Sequence, residues 1–183
     1  MQKRLSSFLA IAIIITSCKQ KNTLFESVSS SRSGITFNNA IVETDSMNPI
    51  DVTNIYNGGG VAVADFNNDG LQDVYFTGNM VSNKLYLNKG EMRFEDITSA
   101  SNTAGEGKWC RGASAVDINN DGWMDLYVCA SIHNDPEKRR NLFYINQGAN
   151  KEGIPVFKNQ AREYGLDDTT HSTMAAFFDY DND

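Results

Sequence analysis

Asp65-Phe66-Asn67-Asn68-Asp69-Gly70-Leu71-Gln72-Asp73 returns as Asp117-Ile118-Asn119-Asn120-Asp121-Gly122-Trp123-Met124-Asp125, and a third copy begins at Asp179 and runs through Asp181 to Asp183. The shared template is D-x-[ND]-x-D-G-x-x-D, the spacing of a calcium loop. Oxygen-bearing side chains at positions 1, 3, 5 and 9 can converge on one hard cation, and Gly at position 6 permits the turn that aims them inward. The candidate ligands are Asp65, Asn67, Asp69 and Asp73 in the first loop, Asp117, Asn119, Asp121 and Asp125 in the second, and Asp179, Asp181 and Asp183 in the third. The position 7 carbonyls of Leu71 and Trp123 add one oxygen each. A loop without a cation crowds three carboxylates together, and a like-charge pair about 4 Å apart costs about 4 kcal/mol at an effective dielectric near 20. A plain hairpin turn built on Asp, Asn and Gly is the alternative. Such a turn needs neither an acid at position 9 nor a recurring ligand pattern.

The residues after position 9 decide what kind of loop this is. A helical calcium loop of the EF-hand type places an acidic ligand at position 12, where this chain has Phe76 and Val128. Those residues belong to Val74-Tyr75-Phe76-Thr77 and Leu126-Tyr127-Val128-Cys129, aromatic and β-branched runs that favour extended chain. Val61-Ala62-Val63-Ala64 and Ala113-Ser114-Ala115-Val116 precede the loops and also read as strands. Each loop is therefore expected to join two strands.

The repeat is longer than the loop. Asn83-Lys84-Leu85-Tyr86-Leu87-Asn88-Lys89-Gly90 followed by Phe94 answers Asn141-Leu142-Phe143-Tyr144-Ile145-Asn146-Gln147-Gly148 followed by Phe157. Asp65 and Asp117 lie 52 positions apart, and Asp117 and Asp179 lie 62 apart, with the added length near Pro136 to Arg140 and Ala149 to Gly153. Surface connections tolerate such insertions. A unit of strand, loop, strand, strand, Asn-x-Gly turn and strand has the size of a propeller blade. The predicted fold class is all-β, with β-propeller blades in residues 34–183. Roughly 50 to 60 residues per blade leaves fewer than three blades here, whereas a ring needs about four to eight. The ring is expected to be incomplete, with two complete loops and a truncated third.

The stretches Gly60-Val61-Ala62-Val63-Ala64-Asp65-Phe66-Asn67-Asn68-Asp69-Gly70 and Arg111-Gly112-Ala113-Ser114-Ala115-Val116-Asp117 resemble FG-GAP, or VCBS-type, repeats, the calcium-loop blades of integrin α-chain propellers. Tyr56-Asn57-Gly58-Gly59-Gly60, Phe76-Thr77-Gly78-Asn79 and Phe177-Phe178-Asp179-Tyr180-Asp181-Asn182-Asp183 are similar to the bacterial surface lipoproteins of the ASPIC/UnbV group, which are related to cartilage acidic protein. The resemblance covers roughly residues 24 to 183 and implies a propeller with calcium in its blades. It implies no settled activity.

Export is written into the first residues. Lys3 and Arg4 precede an apolar run from Phe8 to Ile15, and Ile15-Thr16-Ser17-Cys18 fits a lipobox. Residues 1–17 read as a lipoprotein signal peptide, and 18–33 as a lipidated Cys18 with a tether containing Ser29-Ser30-Ser31. The apolar run is too short to span a bilayer. Acyl chains on Cys18 would hold the protein to a membrane at about 0.8 kcal/mol per buried CH₂. Lys19 after Cys18, by resemblance to bacterial sorting rules, points to the outer membrane or cell surface. An ordinary cleaved signal is the alternative.

The formal charge is −7, and −9 without Lys3 and Arg4, so nucleic acid is not an expected partner. With Cys18 acylated, Cys110 and Cys129 remain on the strands flanking the second loop, either as a disulfide in an oxidising compartment or as free buried thiols. Gly34-Ile35-Thr36-Phe37 reads as a strand, and Gly58-Gly59-Gly60 as a turn entering a tight inner strand. His133 and His171 sit in polar turns, while Asp96, Asp167 and Asp168 lack a recognisable catalytic partner, so no catalytic residue is assigned. These features together describe a calcium-stabilised surface lipoprotein that binds a macromolecular ligand, glycan or protein, through its loops. The alternative is the N-terminal part of a polysaccharide-degrading enzyme whose catalytic residues lie further along the chain.

Overall fold

A computed structural model describes residues 23–181. Its framework is two four-stranded antiparallel sheets, each a meander in chain order. The first contains β1 (Val61–Ala64), β2 (Asp73–Phe76), β3 (Lys84–Asn88) and β4 (Phe94–Asp96), and the second contains β5 (Trp109–Val116), β6 (Asp125–Ser131), β7 (Leu142–Ala149) and β8 (Pro155–Asn159). Three four-residue helices punctuate the connections: α1 (Ser30–Ser33), α2 (Thr98–Ser101) and α3 (Pro136–Arg139). The architecture is all-β, and neither sheet closes on itself. Among the described residues no helix is long and apolar enough to cross a membrane.

Each nine-residue loop joins the first two strands of its sheet, as the residues after position 9 require. The register places Ala64 opposite Asp73 and Val116 opposite Asp125, so both loops leave and re-enter a paired ladder at the same point. Alternation along the strands then divides the side chains between two faces. Ala62, Ala64, Tyr75, Leu85 and Leu87 of the first sheet meet Cys110, Ala113, Leu126, Val128, Leu142 and Tyr144 of the second in one continuous core. Phe66 and Phe157 close that core beneath the loops, with ring centroids 5.8 Å apart and planes at 76°. Such an edge-to-face pair adds about 0.5–1.5 kcal/mol beyond its buried area.

The far face of the second sheet is also apolar, which explains why every residue of β6 is buried. Tyr127, Cys129, Phe143, Ile145 and Ala161 pack there with Leu166, Ala175 and Phe177 from the segment that follows β8. The stacking repeats from unit to unit. A Cβ added to Gly60 would lie 2.6 Å from the Arg111 carbonyl oxygen, and one added to Gly112 would lie 2.7 Å from that of Thr173. Gly60 and Gly112 are equivalent positions on the two inner strands, so each inner strand approaches the next unit closely enough to exclude any side chain. Residues 173 to 177 occupy the corresponding place beyond β5: Gly112 N donates to Thr173 O at 2.8 Å, and Ser114 Oγ donates to Ala175 O at 2.6 Å.

Two expectations need correction. Gly34 to Phe37 forms no strand; it lies across the outer face of the first sheet, where Phe37 stacks on Phe76 at 5.2 Å and Thr36 N donates to the Tyr86 hydroxyl at 3.2 Å. Phe37 is half-buried on that face without backbone pairing to it. Just before this segment, Ser30–Ser33 forms one helical turn closed by Gly34 in the left-handed region. Cys110 and Cys129 are free thiols. Extending the loop-end register without a break would put Cys110 opposite Ser131 and on the same face as Cys129. A bulge between Cys110 and Ala113 shifts the pairing by one, Cys110 faces Ala130, and the two sulfurs fall on opposite faces. Burial pushes both thiols up to about 11, so they are inert.

Candidate metal centre

The two loops fold identically, hydrogen bond by hydrogen bond. Asp65 at position 1 accepts from Asp69 N at 3.1 Å and Gly70 N at 2.8 Å; Asp117 accepts from Asp121 N at 3.1 Å and Gly122 N at 2.9 Å. Asp69 at position 5 accepts from Leu71 N at 2.8 Å and from the Asn67 amide at 2.9 Å, and Asp121 accepts from Trp123 N and the Asn119 amide at 2.8 Å each. Position 9 turns inward. Asp73 accepts from Phe66 N at 2.9 Å and Asn88 N at 2.8 Å, as Asp125 does from Ile118 N at 3.2 Å and Asn146 N at 2.7 Å. All six carboxylate oxygens of each loop thus receive an N–H.

Backbone conformation explains the residue choice. Asn68 and Asn120 at position 4 have φ of 58° and 54°, and Gly70 and Gly122 at position 6 have 88° and 86°. Asn tolerates the left-handed region and Gly enters it freely. These two reversals turn consecutive amides toward the position 1 carboxylate, forming a concave nest of donors.

Position 9 differs from the others in burial. Asp73 and Asp125 are both fully buried, whereas Asp69 and Asp121 are exposed. Burial pushes the Asp73 carboxyl up to about 6, against the bonds from Asn88 and Phe66 and with help from the charges of Asp69 and Asp65. Asp125 is raised for the same reason, burial first, with Asp121 and Asp117 adding to it. The donors have the chemistry of a hard-cation site: carboxylate and amide oxygens, each carboxylate oxygen with a second lone pair remaining after its N–H bond. Among the described residues, no three His, Cys, Asp or Glu side chains are gathered closely enough to enclose a metal ion as they stand. The loops are open turns held by amides, and their chemistry rather than their present closure fits calcium.

Of the third copy, Asp179 and Asp181 line a cavity of about 660 Å³ with Asp117, Ile118 and Asn120 of the second loop. Asp183 lies outside the described residues, as do Cys18 and residues 1–17. The other residues considered for chemistry serve local structure. His171 Nδ1 accepts from Ile132 N and His133 Nδ1 from Asp135 N, both at 3.1 Å. Asp96 is held by Lys84 and Thr98, Asp167 pairs with Arg140, and Asp168 caps Thr170.

Two residues read only as turn formers prove central to the loops. Asn88 and Asn146 start the Asn-x-Gly turns, and each donates its backbone N–H to the position 9 carboxylate and its side-chain amide to the carbonyl just before it, Gln72 at 2.8 Å and Met124 at 3.1 Å. Their recurrence in both units was the available signal.

Residues 65–128 match the model of the FG-GAP-like repeat, from the first loop through most of β6. The chain is also 27% identical over 132 residues to cartilage acidic protein 1 of Xenopus tropicalis, an alignment covering 71% of this chain and 19% of that protein. It therefore spans about a fifth of the length of the relative it matches. The chain carries an FG-GAP-like repeat set in two stacked antiparallel sheets, and it is similar to one portion of cartilage acidic protein 1.

Proposed function

We propose that this chain is part of a calcium-stabilised, exported binding module, built from propeller-type blades and held to a bacterial outer membrane or cell surface by lipid on Cys18. The observation that carries the reading is the recurrence, in two loops 52 residues apart, of the same six N–H bonds to the same three carboxylates. A turn selected for geometry alone has no need to concentrate three acids. In the first loop Asp65, Asn67, Asp69, the Leu71 carbonyl and Asp73 would hold the ion, and in the second Asp117, Asn119, Asp121, the Trp123 carbonyl and Asp125. Asp179, Asp181 and Asp183 would begin a third site.

Calcium supplies charge neutralisation and stiffness, with affinity on the order of 10⁻⁴ to 10⁻³ M, as in other extracellular modules. Sheets stacked on one another then present their connecting loops along one rim, where a glycan or protein ligand would bind. Lipid on Cys18 would supply the membrane attachment, with residues 19–33 as spacer.

The thermal midpoint of the chain with and without chelator tests the cation. At calcium a hundredfold above the dissociation constant, each occupied loop adds about 2.7 kcal/mol. EGTA should lower the midpoint by on the order of 10 °C. An unchanged midpoint would remove calcium from the account.

A further inference from the structure

Three hydrogen bonds tie the first loop to the second unit, one of them directly to the second loop. The Asn68 side-chain amide, at position 4 of the first loop, donates to Gly122 O, at position 6 of the second, at 3.0 Å. The Asn67 amide donates to Gly153 O in the β7–β8 turn at 3.2 Å. Asn146, only 1% exposed, donates its backbone N–H to Asp125 and its amide to Phe66 O at 2.8 Å. One buried residue therefore touches position 9 of the second loop and position 2 of the first. Neither Asn68 nor Asn146 belongs to the ligand set of either loop.

We propose that Asn68 and Asn146 are positioning residues that couple the two loops, so that a cation in one raises the affinity of the other. This rests on the reading that the loops take cations. Ordering the first loop fixes the Phe66 carbonyl and the Asn68 amide. Those groups hold Asn146 and Gly122, and through them the position 9 and position 6 groups of the second loop. A second ion then binds a loop whose ordering is already accomplished, which is positive coupling without a change of fold. Electrostatics opposes the coupling, because an ion in one loop offsets part of the negative field that draws an ion to the other. Each loop carries three carboxylates and stays net negative with a divalent ion aboard, and salt screens part of what remains. Reciprocity requires that the second loop strengthen the first by the same factor.

Trp123 makes the second loop separately readable. It stands at position 7 of that loop, where the first has Leu71, and Trp109 lies at the other end of β5. Terbium, an oxygen-seeking ion of calcium's size, should give Trp-sensitised emission in the second loop that calcium displaces. Asp69→Asn, with Asp69→Ala as a second variant, disables the first loop at an exposed position; Asn68→Gly removes only the linking amide, since Gly accepts the φ of 58°. Disabling the first loop should weaken terbium binding at Trp123 about fivefold or more. Asn68→Gly should weaken it too, and adding D69N to N68G should then cost much less than D69N alone.

Second-loop affinity equal in D69N, D69A and the parent would overturn the coupling and leave calcium binding intact. A D69N effect of the same size with and without Asn68 would remove Asn68 as its carrier. Absence of any calcium-displaceable emission would overturn the cation sites and the coupling together.

Discussion

The first and second loops share one internal hydrogen-bond pattern and differ in what surrounds them. The first is clasped by the next unit: Asn67 reaches Gly153, Asn68 reaches Gly122, and Phe66 O receives the Asn146 amide. In the second loop Asn119 donates to Asp121, as Asn67 does to Asp69, and Asn120 borders the segment that follows β8. It lines the cavity shared with Asp179 and Asp181. Loop shape is thus local to each nine-residue motif, while the tie between loops belongs to the stacking of sheets.

That distinction is broken or sharpened first by the two turn asparagines. Asn146→Ala removes amide bonds to Phe66 O and Met124 O, and strands Gly148 N, which donates to Asn146 Oδ1 at 3.0 Å. Buried unsatisfied groups cost roughly 1–3 kcal/mol each, so urea denaturation should show a loss of about 3 kcal/mol. Asn88→Ala, in a half-buried site bonded only within its own unit, should cost about 1 kcal/mol. Equal losses would deny the second unit its role in holding the first.

The next difference is read in pH. The Asp73 carboxyl stands at about 6 in the folded chain, above its ordinary 3.8. The folded state therefore holds this proton more tightly than the unfolded state, and its contribution is full below about pH 4 and lost as pH rises through 6. In chelator the thermal midpoint should fall across pH 4 to 6, and saturating calcium should remove that fall because a cation favours the carboxylate. Asp73→Asn should make that fall shallower, Asp125 being raised in the same direction, and a profile that rises through this window would contradict the burial argument. The smallest effect is that of the clasp itself. Asn68→Gly loses one exposed intersheet bond and should cost about 0.5 kcal/mol; unchanged stability would mean the clasp contributes nothing.

Much of this was legible in the chain. Phe76 and Val128 at position 12 predicted strands rather than a helix, and β2 and β6 contain them. The longer repeat predicted four strands per unit, and each sheet has four. Local chemistry of this kind is carried by spacing and residue type. What was not legible depends on contacts between units. The bulge at Arg111 and Gly112 arises where the inner strand meets Thr173 and Met174, and it alone decides that Cys110 and Cys129 face opposite ways. Phe37 pairs with Phe76 across 39 positions of sequence without a ladder, so strand periodicity could not report it. The burial of Asp73 and Asp125 likewise follows from Asn88 and Asn146 closing over them, which a turn signature does not disclose.

Calorimetric titration of the chain with calcium tests the central claim most directly. Two binding events at the least should appear in the parent, with Asp69→Ala and Asp121→Ala each abolishing a different one. Heats indistinguishable from dilution, or one event lost equally to both substitutions, would contradict the assignment of one cation to each repeated loop.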